Sequence, residues 1–379
     1  MTAPRKRARM ITASPPTRHP EPPRADDAAR PADAATPAAS WQRELAQAIE
    51  DPRELCRLLQ LDADLALPAG LAAQGFGLRV PRGYVARMRR GDPNDPLLRQ
   101  VLPQAAELLA QVGYCADPLE EALSRRAPGL LHKYHGRALL LTTGACAVHC
   151  RYCFRREYPY GPLQGSWLAD ALRIIREDAS IEEVILSGGD PLTLATARLA
   201  RLTDELAEIA HVRRLRLHTR TPIVLPERVD ESLCQWLGSL PWPVVLVLHA
   251  NHARDVDGGV RGAMRRLRAT GATLLNQAVL LAGVNDSVEA LEELSEALWE
   301  AGILPYYLHL LDPVRGTAHF EVTEPRAREL MASLAARLPG YLVPRLAREA
   351  AGEPAKRLIA PAPWSTERDV LHSPHSGEC

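Results

Sequence analysis

The segment RALLLTTGACAVHCRYCFRRE, residues 137–157, sets the reading of the whole chain. It opens as a strand, RALLLTT (137–143), and runs at Gly144 into a loop carrying Cys146, Cys150 and Cys153. Similar apolar runs bounded by turn residues recur downstream: EEVILSG (182–188), VRRLRLHT (212–219), PVVLVLH (243–249), TLLNQAVLL (273–281) and LPYYLHLL (304–311). Helical periodicity fills the gaps near 166–178, 195–210, 227–239, 256–270 and 287–301. Six strands alternating with helices predict a parallel sheet joined by right-handed crossovers. This α/β pattern fits a (β/α) barrel, complete or partial, with a doubly wound open sheet as the alternative. In a barrel the active site lies at the C-terminal strand ends. That rule selects Thr143–Gly144, Ser187–Asp190, Arg220, His249–His252, Gly283–Asp286 and Asp312.

On the N-terminal side, WQRELAQAI and DPRELCRLLQL read as helices, the second opened by Asp51 and Pro52. Residues 41–130 are therefore expected to be mostly helical, ahead of a barrel core over 131–322. A helix near 324–337 follows, then an irregular stretch with GEPAK, so that 323–362 forms a C-terminal segment. Residues 1–40 are rich in Pro, Ala and Arg and cannot bury enough apolar surface to offset their ordering entropy. They, and residues 363–379, are expected to be disordered tails. The 379 residues carry 46 basic and 46 acidic side chains, a zero net charge that argues against a nucleic-acid partner. No apolar run is long enough to span a bilayer, and no apolar stretch follows MTAPRKRARM as a secretory signal requires. Seven cysteines in a chain of this size suit a reducing compartment, so a cytoplasmic location is expected.

The three loop cysteines are spaced C-x3-C-x2-C. Three thiolates on one short loop hold three irons of a [4Fe–4S] cluster and leave the fourth open. A zinc site is the competing reading, but zinc usually takes four ligands from paired C-x2-C motifs, and Cys56, Cys115, Cys234 and Cys379 are scattered. After the second strand, LSGGDPL (186–192) offers Gly188 and Gly189, where backbone can approach a ligand closely. Ser187 borders that turn, and Asp190 is a candidate to receive an ammonium group, or else to open the following turn with Pro191. The only lysines are Lys6, Lys133 and Lys356, so any chemistry needing a primary amine has three candidates.

With these motifs in place, the chain resembles the radical S-adenosylmethionine superfamily, and within it the lysine 2,3-aminomutases. The branch it looks most like supplies β-lysine for modifying elongation factor P. The resemblance runs from about Trp41 to about Ala360. It rests on HKYHGRALLLTTGACAVHCRYCFRR (132–156), LSGGDPL, HTRTPIVLPERV (218–229), LHANH (248–252), LNQAVLLAGVND (274–286), PYYLHLLDPVRGTAHF (305–320) and GYLVP (340–344). It implies a partial (β/α) barrel of the radical S-adenosylmethionine type, with a helical N-terminal region and a C-terminal cofactor-binding segment. It also implies three cofactors: a [4Fe–4S] cluster on Cys146, Cys150 and Cys153, S-adenosyl-L-methionine, and pyridoxal 5′-phosphate anchored by Lys356. The matching positions make Lys133, Tyr134 and Arg137 contacts of the pyridoxal group. Ser187, Gly188, Gly189 and Asp190 fall to S-adenosylmethionine. Arg155 falls to the substrate carboxylate, and Asp286 with Glu349 to its distal ammonium. The family's run of glycines before the lysine is here reduced to Gly352, and Glu349 stands where the family carries an Asp.

The implied reaction moves the amino group of free L-lysine from carbon 2 to carbon 3, an isomerisation. Its partners would be a reducing electron donor such as flavodoxin or ferredoxin and, through its product, elongation factor P and its lysyl ligase. The near rival is a catabolic lysine 2,3-aminomutase, which adds a Cys-rich C-terminal segment where this chain has only Cys379. More distant rivals are a radical enzyme of another class without pyridoxal phosphate, and a zinc-bearing scaffold with no catalysis.

Overall fold

The structure is a computed structural model that describes residues 40–161 and 167–363. The two expected tails fall outside these residues except at Ser40 and Pro363. One sheet of ten strands runs in simple chain order. Its centre is parallel: β3 (Arg137–Thr143), β4 (Glu183–Gly188), β5 (Arg214–Thr219), β6 (Val244–Leu248), β7 (Thr273–Val279), β8 (Leu304–His309) and β9 (Arg345–Arg348). Antiparallel strands close each edge, β1 (Arg125–Ala127) and β2 (Leu130–Tyr134) before β3, and β10 (Arg357–Leu358) after β9. The two edge strands do not pair with each other, so the barrel is partial.

The central strands and their helices lie where the apolar pattern placed them. Asp230, Asp257 and Ser287 cap helices Glu231–Ser239, Gly258–Ala269 and Val288–Glu300 by accepting from Leu233, Val260 and Ala290 backbone N–H groups. Successive strand residues point to opposite faces. One set, including Ala138, Leu140, Val184, Leu186, Leu215, Leu217, Leu246 and Leu248, packs under the helices in the main core. The alternate set faces inward, and this is why Arg216, His218, Gln277 and His309 sit in strands that otherwise read as buried, with His249 just past the end of β6.

Two expectations need correction. Residues 41–130, expected to be mostly helical, carry helices but also strand β1 and the first residue of β2. The stretch around GEPAK is not irregular either: Arg348 and Arg357 pair across it, making a β9–β10 hairpin. Both strands are too short to show a period of their own and form by pairing with the sheet edge. The sheet therefore runs through the boundaries expected at 130/131 and 322/323.

The N-terminal helices build a second core with Ala147, Val148, Val224 and Leu225. They thereby press on the cysteine loop and on the turn after β5. A buried ionic clamp reinforces this contact. Arg151 is fully buried and donates from Nε and Nη2 to both oxygens of Glu107, at 2.9 and 2.5 Å, and Arg156 adds a third bond to Glu107 at 2.7 Å. A paired, bidentate guanidinium is the form in which such a charge tolerates burial.

Candidate active site

A cavity of about 700 Å³ occupies the inside of the partial barrel. Cys146, Cys150, Cys153 and Arg155 from the loop after β3 reach it, as do Ser187, Gly188, Gly189 and Asp190 from β4 and its turn. Lys133, Tyr134 and Arg137 line it from the first edge, and Glu349 and Lys356 from the last. The fold therefore gathers into one cavity every predicted site residue but one.

Burial pushes the Cys146 thiol up and holds the Cys153 thiol at about 11, and neighbouring thiols add to both effects. Burial thus disfavours bare thiolates at Cys146 and Cys153, a cost that the positive charge of an iron core would offset. Among the described residues no three His, Cys, Asp or Glu side chains converge on a single-ion site. The C-x3-C-x2-C spacing, with no paired C-x2-C elsewhere in the sequence, is the pattern of separate irons of one cluster.

The glycine turn lies against this loop. Gly189 N–H donates to Thr143 O at 2.7 Å and Asp190 N–H to Ala145 O at 2.8 Å. Gly188 takes φ +127°, and a Cβ on Gly189 would overlap the Ala145 carbonyl. Gly189→Ala is expected to cost at least about 1–3 kcal/mol, since the obstacle is backbone and cannot rotate away. The check is a lower Tm, together with loss of iron on reconstitution. An unchanged Tm would show that the turn tolerates a side chain.

The expectation that Asp190 receives an ammonium gives way to a structural role. Its Oδ1 accepts from Thr219 Oγ1 and Leu192 N–H, and its Oδ2 accepts from the N–H groups of Arg220 and Thr221, all within 3.0 Å. The carboxylate is thereby saturated, tying the end of β4 to the end of β5. Arg155 is also engaged. It makes a bidentate pair with Glu121, at 2.9 and 2.5 Å, and its Nη1 reaches Ser187 Oγ at 3.2 Å.

At the other side of the cavity, Glu349 bridges two lysines from opposite edges of the sheet. Lys133 Nζ donates to it at 3.1 Å and Lys356 Nζ at 2.5 Å. Burial alone would raise the Glu349 carboxyl, but Lys356 and then Lys133 reverse this and hold it well below the usual range. Glu349 was expected beside a substrate ammonium; it already faces these two cations. Arg137 and Lys133 both lie over the Tyr134 ring, 4.8 and 5.4 Å from its centre.

Asp286 is the predicted residue that the cavity leaves out. It is half-buried beyond β7, and the cap of the following helix is Ser287 instead. Its neighbour Asn285 turns inward to brace the loop, donating to Asn251 O and Val279 O. Asp312, past the end of β8, does reach the cavity. Burial and then the nearby Glu349 push its carboxyl up to about 7. The barrel rule had selected Asp312 as a strand-end residue, but no local motif separated it from Asp286.

Inward-facing His218, His249 and His309 lie in stretches that carry the resemblance, and the barrel rule selected His249, but no role was assigned to any of them. Burial drives His309 and His249 down to about 3, with Lys356 and Arg220 respectively adding to it, so both are neutral. His218 Nε2 and His309 Nε2 are buried without a hydrogen-bond partner. Unpaired polar atoms of this kind are costly unless a ligand meets them. A roomy cavity with such atoms, buried thiols and two lysine amines fits a cluster, S-adenosylmethionine and pyridoxal phosphate together.

Residues 140–237 match the family model of the radical SAM superfamily. The L-lysine 2,3-aminomutase of Escherichia coli (strain K12) is 50% identical over 320 residues, covering 83% of this chain and 93% of that protein. That of Haemophilus influenzae is 44% identical over 324 residues, 85% of this chain and 96% of the relative. The L-lysine 2,3-aminomutase of Clostridium subterminale is 32% identical over 325 residues, 85% and 78% of the two chains. With half of the aligned positions shared along nearly the full length of a curated aminomutase, the chain belongs to the lysine 2,3-aminomutase family of radical S-adenosylmethionine enzymes.

Proposed function

We propose that this protein is an isomerase that converts L-lysine to β-lysine inside the barrel cavity. The observation that carries the reading is that three loop thiols and Lys356 line one cavity. When bound, the cluster and S-adenosylmethionine supply hydrogen-atom abstraction, and pyridoxal phosphate supplies the carbonyl that carries the migrating amine.

In this reading Cys146, Cys150 and Cys153 hold the cluster, while Gly188 and Gly189 let backbone lie against S-adenosylmethionine. Lys356 anchors the pyridoxal group, and Lys133, Tyr134 and Arg137 surround it from the first sheet edge. Arg155 orients the lysine carboxylate through the Nη1 that Glu121 leaves toward Ser187. Asp312 takes the place first given to Asp286 and meets the distal ammonium, with Glu349 behind it. Neutral His218 and His309 offer ring nitrogens to polar groups of the bound molecules.

An anaerobic assay of reconstituted protein with S-adenosylmethionine and free L-lysine tests this reading and is expected to yield β-lysine. Cleavage of S-adenosylmethionine with lysine unchanged would point to a radical enzyme of another class. Supply of β-lysine to elongation factor P and its lysyl ligase, and a flavodoxin- or ferredoxin-type donor, belong to the same proposal through the resemblance. So does a cytoplasmic location. No helix among the described residues is long and apolar enough to cross a membrane.

Asp312 makes a further expectation measurable. Its folded value of about 7 lies above the ordinary 3.8, so the folded state holds a proton that the unfolded state releases. Stability is therefore lost as pH rises between these values. Asp312→Asn should raise Tm more at pH 8 than at pH 5. It should also raise KM for lysine about 10²-fold, because a buried ammonium loses a charged partner. An unchanged KM would remove Asp312 from the substrate site.

A further inference from the structure

Arg220 leaves the end of β5 and turns beneath the cysteine loop, where it is 6% exposed. Its Nη1 donates to Cys150 Sγ at 2.8 Å and to Tyr152 Oη at 2.6 Å. Its Nη2 donates to Gln100 Oε1 at 2.6 Å and Tyr84 Oη at 3.2 Å. Asp255, itself fully buried, lies 3.8 Å from the same nitrogen. The backbone N–H of Arg220 is held by Asp190, so one run of contacts joins the glycine turn, the end of β5 and a loop thiol. A guanidinium keeps its charge in proteins, and four hydrogen bonds fix this one against the loop.

We infer that Arg220 is a positioning residue for the iron–sulfur cluster: it fixes the Cys150 thiolate by a charge-assisted N–H···S bond, and its buried charge favours the reduced cluster. The inference rests on the reading that Cys146, Cys150 and Cys153 hold that cluster. One electron enters from an external one-electron donor, no proton moves, and the cluster becomes one charge more negative. A fixed cation in direct contact with a ligand sulfur stabilises the product of that step more than its reactant. The contact is selective, because among the described residues Arg220 touches Cys150 and not the other two loop thiols. The Asp255 carboxylate opposes the effect by partly neutralising the guanidinium.

The test is a redox titration of anaerobically reconstituted protein without S-adenosylmethionine, reduced by dithionite through viologen mediators and followed by electron paramagnetic resonance. Arg220→Gln keeps a donor and deletes the charge. It is expected to keep its iron and sulfide but to lower the reduced-to-oxidised ratio at fixed poise about tenfold or more, equivalent to about 59 mV for a one-electron couple. Arg220→Lys should recover most of that ratio. Asp255→Asn, which removes the opposing charge and no cluster ligand, should raise it. A ratio within twofold of the unaltered protein in an iron-replete Arg220→Gln variant overturns the inference. If that variant fails to assemble a cluster, Asp255→Asn decides, since an unchanged or lower ratio there overturns it as well. Absence of a four-iron cluster in the unaltered protein would instead overturn the underlying cluster reading.

Discussion

Lys356→Arg is expected to leave the protein folded and its iron content intact while β-lysine formation falls about 10³-fold or more, the scale lost when a positioned reaction partner is no longer held. The substitution keeps a cation beside Glu349, so the ionic bridge across the sheet edges survives in kind. Only the primary amine that can bond covalently to the pyridoxal carbonyl is lost. Lys356→Ala removes both functions, and Glu349 then keeps only Lys133, at 3.1 Å. The two variants together separate the charge of Lys356 from its nucleophilicity. Borohydride reduction of the unaltered protein followed by peptide mapping supplies the second readout, with the pyridoxal label expected on Lys356. A label on Lys133 would reverse the assignment, since both amines face Glu349 from opposite sides. Turnover within tenfold of the parent in Lys356→Arg would show that no covalent anchor is needed.

Cys150→Ala should reduce S-adenosylmethionine cleavage to below about one part in 10³, because a cluster lacking one of its three thiolates does not keep the open iron in place. The fold should persist. Arg220 loses its sulfur partner but keeps Tyr152, Gln100 and Tyr84, so no buried charge is stranded. The same loss of iron is expected for Cys146→Ala and Cys153→Ala. Cys56 packs in the N-terminal core and Cys234 lies half-buried against the main core, both away from the cavity. Their alanine variants should keep full iron and sulfide, which makes them controls for general damage. Iron analysis and 5′-deoxyadenosine release are the measurements. A Cys150→Ala protein with about four irons and normal cleavage would exclude this thiol from the cluster.

What local sequence determined here is what local chain geometry determines. Strand and helix periodicity place the central strands and their helices, because burial on one or both faces is written into spacings of two and near four residues. The C-x3-C-x2-C spacing confines three thiols to one loop whatever the rest of the chain does. Three lysines in the whole chain left few candidates for an amine. The tertiary structure decided the remainder. Glu349 meets Lys133 across 216 residues only because the two edges of the partial barrel approach each other. Arg220 meets Cys150 across 70 residues because the end of β5 comes to lie under the loop after β3. Asp190 looked like a ligand-binding acid, yet the neighbouring strand end brings two backbone N–H groups and a hydroxyl that use its oxygens. Asp286 and Asp312 both follow strands, and each is a plausible partner for a cation by type and position. Only the path of the chain beyond each strand decides which carboxylate enters the cavity and which stays outside. Strands β9 and β10 are four and two residues long, too short to carry a pattern, and owe their form to a sheet edge built by distant residues. Periodicity and motif spacing are properties of adjacent residues, whereas pairing across a closing barrel depends on every intervening turn.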